Sequence, residues 1–505
     1  MSAPSDAAAD PLAFDPYDYG FHEDPYPLYR RLREEAPVFH AGRDDLWVVS
    51  RHADVFDVLR DDATFSNRMG VSLDASAWTP HAHRVMSFLA LDGREQTRLR
   101  RLVSAAFTPR RVKELQPQIQ RLTERYLEET LAANDEHGEA DWIADFAGKL
   151  PMDVISEMMG VPVADRDEVR RLADLVVHRE DGVRDVPQAG MEASMELVAY
   201  YSAMVRERRT AAEPPGDLTA ALTAAEVDGD RLTDGEIIAF LFLMVVAGNE
   251  TTTKLLGNAL FHLSAHPVQK AEVLAAPDDP EPLVTQWIEE TLRHDTSSQM
   301  IARYVVEDVE LHGRTIPAGA KALVLLGSAN RDERIFTDPT VYDIHRPKSE
   351  LGQILSFGSG KHFCLGANLA RLEARVVLNE LVRQVEDFRV HADRATRVHS
   401  TSVRGFAGLR PRSRGGRADG GEEVRAPRTP ARGDHRRVVG DRRRDGEGPR
   451  RGRTPGRARR PPGRRRRGDR RGDPCRGRRG GRAPARRRRR RVGRRLRRQG
   501  DRRPR

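Results

Sequence analysis

The stretch LSFGSGKHFCLGANLARLEARVVLNEL contains the residue types best suited to chemistry. It places Cys364 in a glycine-rich loop, between Gly358 and Gly366, that leads directly into a predicted helix. Glycines let the backbone turn tightly and approach a bulky flat ligand, while the amides at a helix N-terminus favour a thiolate over a thiol. Cys364 is therefore predicted to serve as an axial thiolate ligand of a metal.

A solitary cysteine is more commonly a small buried residue of the core. The only other cysteine, Cys475, lies in a C-terminal segment of different composition, so the sequence offers no disulfide framework. The arrangement of Phe357, two glycines and His362 ahead of Cys364 is much more specific than an isolated cysteine. This arrangement favours a ligand over a core residue.

A second candidate site lies midway along a long apolar helix, whose start is marked by the capping-box pattern of Thr233 and Glu236. Inside this helix, the segment AGNETTT contains Gly248, Glu250 and Thr251. Glycine weakens a helix and a buried carboxylate is costly, so this composition indicates a function. The alternative for Thr251 is an ordinary hydrogen bond to a carbonyl of its own helix.

A third motif is Glu290 with Arg293, three residues apart on one helical face of IEETLRH. Alone the pair is commonplace, because most such pairs are solvated salt bridges. Together with the other two motifs it resembles the cytochrome P-450 family, and the likeness covers most of positions 15 to 410. The resemblance implies the P-450 fold, which is mainly α-helical with a small β-sheet region, in a single large domain.

The resemblance also implies haem b (iron protoporphyrin IX) bound through Cys364, with dioxygen as co-substrate. Thr251 would hydrogen-bond dioxygen at the haem, and Glu250 would connect it to a water-borne proton supply. Electron density from the thiolate and this proton together favour O–O cleavage. The two catalytic candidates are therefore Thr251 and Glu250.

In the family, the pair that matches Glu290 and Arg293 is structural and locks the core behind the cysteine loop. The family usually adds a basic residue from a downstream Arg-Phe segment. This chain has Val341 and Tyr342 there, so whether Arg346 substitutes is an open question.

Haem carries two propionates, which need cationic or hydrogen-bonding partners. The resemblance nominates Arg100, Arg303 and His362, although Arg100 lies in a helix with four arginines and could equally be a surface charge. At position 96 the family commonly has histidine, whereas glutamine donates a hydrogen bond without a charge. We predict a weakened propionate clamp, so that Gln96→His improves haem retention. The expected haem contacts are Cys364, His362, Arg100, Arg303, Gln96, Phe357, Gly358, Gly366, Ala247 and Gly248.

The substrate is expected to be small and hydrophobic, because most residues that the resemblance places around the pocket are apolar. The same residue types would also be found in plain core. The candidate substrate contacts are the loop 69–89, Leu243, Val246, Ser298, Gln299 and Met300.

The chain shows no glycine-rich nucleotide motif after a strand and no cysteine cluster, so no flavin or iron–sulfur module is visible. The resemblance implies that electrons come from a separate ferredoxin and a ferredoxin reductase that uses NAD(P)H. Lys361 and Arg371 flank the cysteine loop and are candidates for a basic docking patch.

The segment 411–505 contains 40 Arg, no Lys and 10 acidic residues, a net charge of +30, whereas residues 1–410 carry −20. Having no Phe, Tyr, Trp, Ile or Met, it cannot bury enough apolar surface to offset its ordering entropy. We predict a haem domain at 1–410 followed by a disordered tail. A composition dominated by Arg, Gly, Pro and Ala favours a frameshift near residues 408–410 over a nucleic-acid-binding arm. Nucleic acid is therefore not an expected partner. Resequencing the locus would decide between them.

The opening MSAPSDAAADPLAF lacks the basic and apolar regions of a secretory signal. The longest strongly apolar stretch, 237–248, is much shorter than the roughly 20 residues that span a bilayer. A cytoplasmic protein without a membrane partner is expected.

The leading hypothesis is a bacterial-type P-450 monooxygenase that hydroxylates or epoxidises a small hydrophobic compound of secondary metabolism. One alternative is a peroxide-using haem-thiolate enzyme, but that class typically lacks the acid and threonine found here at Glu250 and Thr251. The other is a haem-binding protein whose catalysis is impaired by the aberrant C-terminus.

Overall fold

Helices account for most of the described chain, in segments where apolar residues recur at helical spacing. The computed structural model describes residues 12–137, 140–179 and 184–414. The helices of the first half are α1 (Tyr19–Glu23), α2 (Tyr26–Glu35), α3 (His52–Arg60), α4 (His83–Met86), α5 (Gly93–Ala106), α6 (Pro109–Glu114), α7 (Gln116–His137), α8 (Leu150–Met159), α9 (Arg166–Val177), α10 (Gln188–Thr210) and α11 (Leu218–Ala224). Those of the second half are α12 (Asp234–Ala265), α13 (Pro267–Leu274), α14 (Glu281–His294), α15 (Leu326–Ala329), α16 (Lys348–Leu351) and α17 (Ala367–Gln384).

Strands form one small mixed sheet and several two-stranded pairs. The strands are β1 (Val38–Ala41), β2 (Leu46–Val49), β3 (Phe65–Ser66), β4 (Glu226–Val227), β5 (Asp230–Arg231), β6 (Met300–Val305), β7 (Val309–Leu311), β8 (Arg314–Ile316), β9 (Lys321–Leu325), β10 (Asp387–Val390), β11 (Thr396–Arg397), β12 (Phe406–Gly408) and β13 (Pro411–Arg414). The five-stranded sheet has the order β1-β2-β9-β6-β3, in which only β2 and β9 pair in parallel. The prediction of a mainly α-helical fold with a small sheet is confirmed.

Helix α12 is the long apolar helix of the sequence, and it begins with the predicted capping box. The side chain of Thr233 accepts from the amide of Glu236, and the Glu236 carboxylate accepts from the amide of Thr233. By length and composition alone, this 32-residue helix could cross a membrane, which corrects the prediction that no segment is long enough. Its packing explains the composition, because α12 contacts α4, α8, α10 and α14 and contributes to the largest core cluster.

The last described strand extends the folded region past the predicted boundary at residue 410. In β13, Pro411 pairs with Val390 and Arg414 pairs with Asp387 of β10. The folded region therefore includes at least this strand. The predicted disorder and frameshift origin of the rest of the tail concern residues 415–505, which lie outside the described residues.

Candidate functional site

The cysteine loop is a tight turn that requires glycine. Gly358 and Gly360 have φ values of +68° and +69°, a conformation that favours glycine over other residues. A Cβ atom on Gly360 would also lie 3.0 Å from the carbonyl oxygen of Leu59, at the end of α3. The Cys364 amide donates a 2.9 Å hydrogen bond to the Phe357 carbonyl, which closes the loop just before α17 begins.

Cys364 lines a cavity and is exposed to it. Desolvation raises the pKa of Cys364, whereas the Gly366 amide, Arg100 and Arg371 oppose this shift. The start of α17 and the two arginines thus act in the direction that the sequence predicts, and a preference of the loop for the thiolate stays a prediction. Binding to a metal would supply the missing charge compensation, since a coordinating thiol is deprotonated.

The cavity has a volume of about 280 Å³ and lies between the cysteine loop and α12. Its wall is mostly apolar, and it brings together most of the residues predicted to contact haem. Predicted residues that line it are Ala247, Gly248, Thr251, Ser298, Arg303, Phe357, Gly358, His362, Cys364 and Gly366.

Two basic side chains in this cavity lack partners for most of their hydrogen-bond donors. Arg303 is 2% exposed, and its side chain donates to the Ala302 carbonyl at 2.8 Å, its one hydrogen bond within the described chain. Burial lowers its pKa to about 10. Neither ring nitrogen of His362 has a hydrogen-bond partner among the described residues, and Asp92 is 3.8 Å from Nε2. Both side chains fit the acidic groups of a haem, because such groups would supply the missing acceptors.

Neither Arg100 nor Gln96 lines the cavity. Arg100 donates to the carbonyls of Lys361 and Phe363 at 3.0 and 2.6 Å. Buried Gln96 donates to the same Lys361 carbonyl at 2.9 Å. Both side chains therefore hold the cysteine loop from α5 in this structure. Direct contact with propionates stays a prediction.

Thr251 and Gly248 lie within α12, which runs as one α-helix from Asp234 to Ala265. The Thr251 hydroxyl donates to the Ala247 carbonyl at 3.1 Å, which is the ordinary helix bond considered as its alternative role. Packing explains why position 248 is a glycine, because a Cβ there would lie 2.3 Å from Cδ1 of Ile155 on α8. The Thr251 side chain nevertheless lines the cavity.

Glu250 faces a second, larger cavity of about 1000 Å³. Its carboxylate lies 3.3 Å from Nζ of Lys254, one helical turn later, which is buried and also donates to the Phe406 carbonyl. Asp174 of α9 lines the same cavity, and burial together with Glu250 raises its pKa to about 6. The two cavities share Thr251, Ala247 and Leu243 as wall residues. An acid thus lies at the border of the two cavities beside Thr251.

Comparison with known proteins identifies the family. The cytochrome P450 family model matches residues 185–413. Cytochrome P450 123 of Mycobacterium tuberculosis is 54% identical over 399 residues, which cover 79% of this chain and 96% of that protein. The chain belongs to the cytochrome P450 family.

Two further relatives extend this comparison. The solved structure of the P450 CYP109Q5 from Chondromyces apiculatus has a TM-score of 0.70 and 35% identity, covering 80% of this chain and 99% of that one. The vitamin D(3) 25-hydroxylase of Pseudonocardia autotrophica is 36% identical over 394 residues, 77% of this chain and 93% of that protein. The protein is accordingly a P450 monooxygenase, and the family's cofactor is haem and its oxidant dioxygen.

The Glu-x-x-Arg pair of this P450 is completely buried. Arg293 donates to Glu290 at 2.6 and 2.8 Å, and Nε of Arg346 donates to Glu290 at 3.0 Å. Arg346 therefore supplies the third, basic member that the sequence left open. Arg293 also donates to the Asn330 carbonyl, and the Asn330 side chain binds Leu355 and Ser356, directly before Phe357. The network supports the cysteine loop from behind.

The predicted substrate contacts are divided among the two cavities and the interior. Leu243 and Ser298 line both cavities, while Val246 and Met300 line the larger one. Gln299 lines neither, because its buried amide donates to the Thr296 carbonyl and the Tyr26 hydroxyl. The loop 69–89 contributes several wall residues, as predicted: Val71, Ser72, Asp74, Ser76, Ala77, Val85, Met86, Phe88 and Leu89.

Several polar residues at these cavities escaped the sequence analysis. Arg179, just after α9, donates to Asp74 at 3.1 and 2.8 Å, and Ser76 donates to Asp185 at 2.6 Å. These bonds tie Asp74 and Ser76 to Arg179 and Asp185 along the wall of the larger cavity. No local sequence signal pairs positions so far apart. Lys254 had a detectable signal, because it lies four residues after Glu250.

Proposed function

We propose that this P450 hydroxylates or epoxidises a small hydrophobic organic compound, using electrons from a separate ferredoxin and an NAD(P)H-dependent ferredoxin reductase. The observation that carries the proposal is the apolar cavity with Cys364 and Thr251 in its wall. Haem held there by Cys364, with Arg303 and His362 at its acidic groups, would bind and activate dioxygen. We propose a cytoplasmic location, with α12 as a core helix.

The residues on the α12 side of the cavity supply the proton. The hydroxyl of Thr251 can exchange its bond to the Ala247 carbonyl for one to a ligand in the cavity, because rotation about a single bond suffices. Glu250 can pass a proton from the larger cavity to this hydroxyl, and its ion pair with Lys254 holds the carboxylate in place. Thr251 thus holds the proton, and Glu250 donates it.

The substrate class follows from the composition of the walls. Leu243, Ile301 and Val71 border both cavities, so the part of a substrate nearest Thr251 meets apolar side chains. The larger cavity contains charged groups such as Asp174, where a more polar end of the substrate would lie. One relative, the vitamin D(3) 25-hydroxylase, is named for a hydrophobic substrate, which is consistent with this class.

The direct test is product formation with labelled dioxygen, with the ferredoxin, reductase and NADH supplied. Camphor, testosterone and lauric acid serve as hydrophobic probes. The expected result is one labelled oxygen atom in the product of at least one probe. Thr251→Ala should keep NADH consumption but lose most product, and Glu250→Gln should slow turnover by about 10²-fold or more. Thr253→Ala is the matched control on the same helix, because its hydroxyl is buried against the Ala147 carbonyl.

Peroxide distinguishes the rival enzyme class. If hydrogen peroxide alone supports turnover at the NADH-driven rate, and Thr251→Ala leaves that rate unchanged, the protein is a peroxide-using enzyme. If haem binds normally but no oxygen source yields product from any probe, the monooxygenase proposal for these substrates is overturned.

A further inference from the structure

The guanidinium of Arg371 lies against the cysteine loop on the α17 side. Its central carbon is 4.5 Å from the centroid of the Phe357 ring, a cation–π contact. The carbonyl of Phe357 accepts the amide of Cys364 at 2.9 Å. Arg371 therefore contacts the residue that fixes the backbone of the cysteine.

Glu289 of α14 fixes the orientation of this guanidinium. Nε and Nη2 of Arg371 donate to the two carboxylate oxygens of Glu289 at 2.6 and 2.9 Å. The side chains are only 29% and 19% exposed. A bidentate pair of this kind restricts the guanidinium plane, which a single contact does not.

The position of this charge also matters for the sulfur. A cation near a metal-bound thiolate stabilises the added electron upon reduction, so its removal lowers the midpoint potential. Because both of its carboxylate-facing donors are engaged, Arg371 is not a free docking charge.

We propose that Arg371 is a positioning residue for the haem thiolate: held by Glu289, it stacks on Phe357 and places a fixed positive charge beside the cysteine loop. This inference rests on the proposed binding of haem by Cys364. It assigns Arg371 a role inside the cysteine site, in place of the docking role that the sequence suggested.

Arg375 provides a matched control on the same helix, one turn later. It lines the same surface cleft and pairs with Glu281 at 3.4 Å, with 39% of its side chain exposed. Arg371→Gln and Arg375→Gln remove the same charge from the same face of the protein. Of these two arginines, Arg371 is the one with a described contact to the Phe357 ring.

The experiment measures the haem-loaded protein in two ways that do not depend on turnover. One is the midpoint potential, and the other is the fraction of reduced, carbon monoxide-bound protein that shows the red-shifted Soret band of a thiolate ligand. Arg371→Gln should give a more negative potential and a smaller red-shifted fraction, while Arg375→Gln changes neither. Arg371→Lys should restore the midpoint potential more fully than the red-shifted fraction, because lysine keeps the charge but lacks the planar guanidinium group. Glu289→Gln should lower the fraction.

Equal values for Arg371→Gln, Arg375→Gln and wild type would overturn the proposal. If both variants instead slow reduction by ferredoxin equally with unchanged potentials, Arg371 is a docking charge and the inference is wrong. Thermal unfolding of the haem-free variants shows whether Arg371→Gln still folds, and Arg371→Lys carries the test if it does not. A wild type without any red-shifted band would overturn thiolate ligation itself, which separates that failure from a failure of this inference.

Discussion

The cysteine loop and the loop 69–89 form different walls of the cavity system and are held in different ways. Helix α5 holds the cysteine loop through Gln96 and Arg100, and the buried Glu290 network supports it from behind. The other loop is joined to Arg179 and Asp185 by side-chain bonds, chief among them that between Arg179 and Asp74.

This difference matches two functions, the binding of a metal by the cysteine loop and the admission of a substrate past the loop 69–89. A metal-binding loop needs one fixed geometry, which glycine conformations, backbone bonds and buried ion pairs enforce. A substrate wall needs to admit and release a molecule, so bonds that exchange with water suffice. The predictions that follow test this contrast, from the largest expected effect to the smallest.

Breaking the buried network should have the largest effect. Glu290→Gln leaves Arg293 buried without its counter-charge and leaves Arg346 with Glu350 alone, so we expect a loss of about 3–5 kcal/mol in the free energy of unfolding. Denaturant unfolding of the haem-free protein measures it. Glu34→Gln, which breaks an exposed pair with Arg30, is the control and should cost less than about 1 kcal/mol. Equal losses in the two variants would contradict the account.

Glu373 should make stability depend on pH. It is 1% exposed, lines the smaller cavity, and burial raises its pKa well above the ordinary value. The folded state therefore keeps the proton that the unfolded chain releases, so this group stabilises the fold at low pH and loses that contribution as pH rises above about 4.5. Relative to wild type, the free energy of unfolding of Glu373→Gln should rise by up to about 1.4 kcal/mol per pH unit above that value. At pH 4 the two proteins should be equally stable. A stability difference independent of pH, measured by denaturant unfolding, would refute the buried neutral carboxyl.

Truncation tests where the folded domain ends. A chain that stops after Arg414 keeps the β10–β13 pair, so it should retain haem and the stability of the domain. A chain that stops after Leu409 lacks β13 and should lose about 1 kcal/mol for each ladder hydrogen bond removed. Thermal unfolding and haem content measure both. Identical stability of the two truncations would show that β13 contributes nothing.

Loosening the substrate wall should have the smallest effect on stability. Arg179→Gln is expected to cost about 1–3 kcal/mol, because it leaves the buried Asp74 without this cation, and to speed the entry of imidazole to the ferric haem. Stopped-flow absorbance gives the association rate. Arg171→Gln, which breaks an exposed pair with Glu168 on the same helix, is the control. No change in rate for either variant would mean that the Arg179 contact does not limit entry.

The sequence predicted the parts of the site that depend on local spacing. The glycines of the cysteine loop, the capping box of α12 and the Glu290 pair all follow from residue types a few positions apart. Contacts between distant segments could not be read in this way. The partners of Gln96 and Arg371, and the interior position of Gln299, depend on how α5, α14 and β6 pack around the loop.

The pKa of the Cys364 thiol is a further property that the spacing of residues in the sequence could not predict. The helix N-terminus and nearby arginines act in the direction that the sequence suggests, but burial raises the pKa of the thiol more strongly. Desolvation depends on the whole surrounding structure, and no short motif reports it.

The most direct test of the central claim is the absorption spectrum of dithionite-reduced protein with carbon monoxide, recorded for wild type and Cys364→Ala. We expect a strongly red-shifted Soret band in the wild type that disappears in the variant, because only a thiolate ligand produces that shift. A wild type that binds no haem, or one that shows an unshifted band identical to that of the variant, would contradict the assignment of Cys364 as the iron ligand.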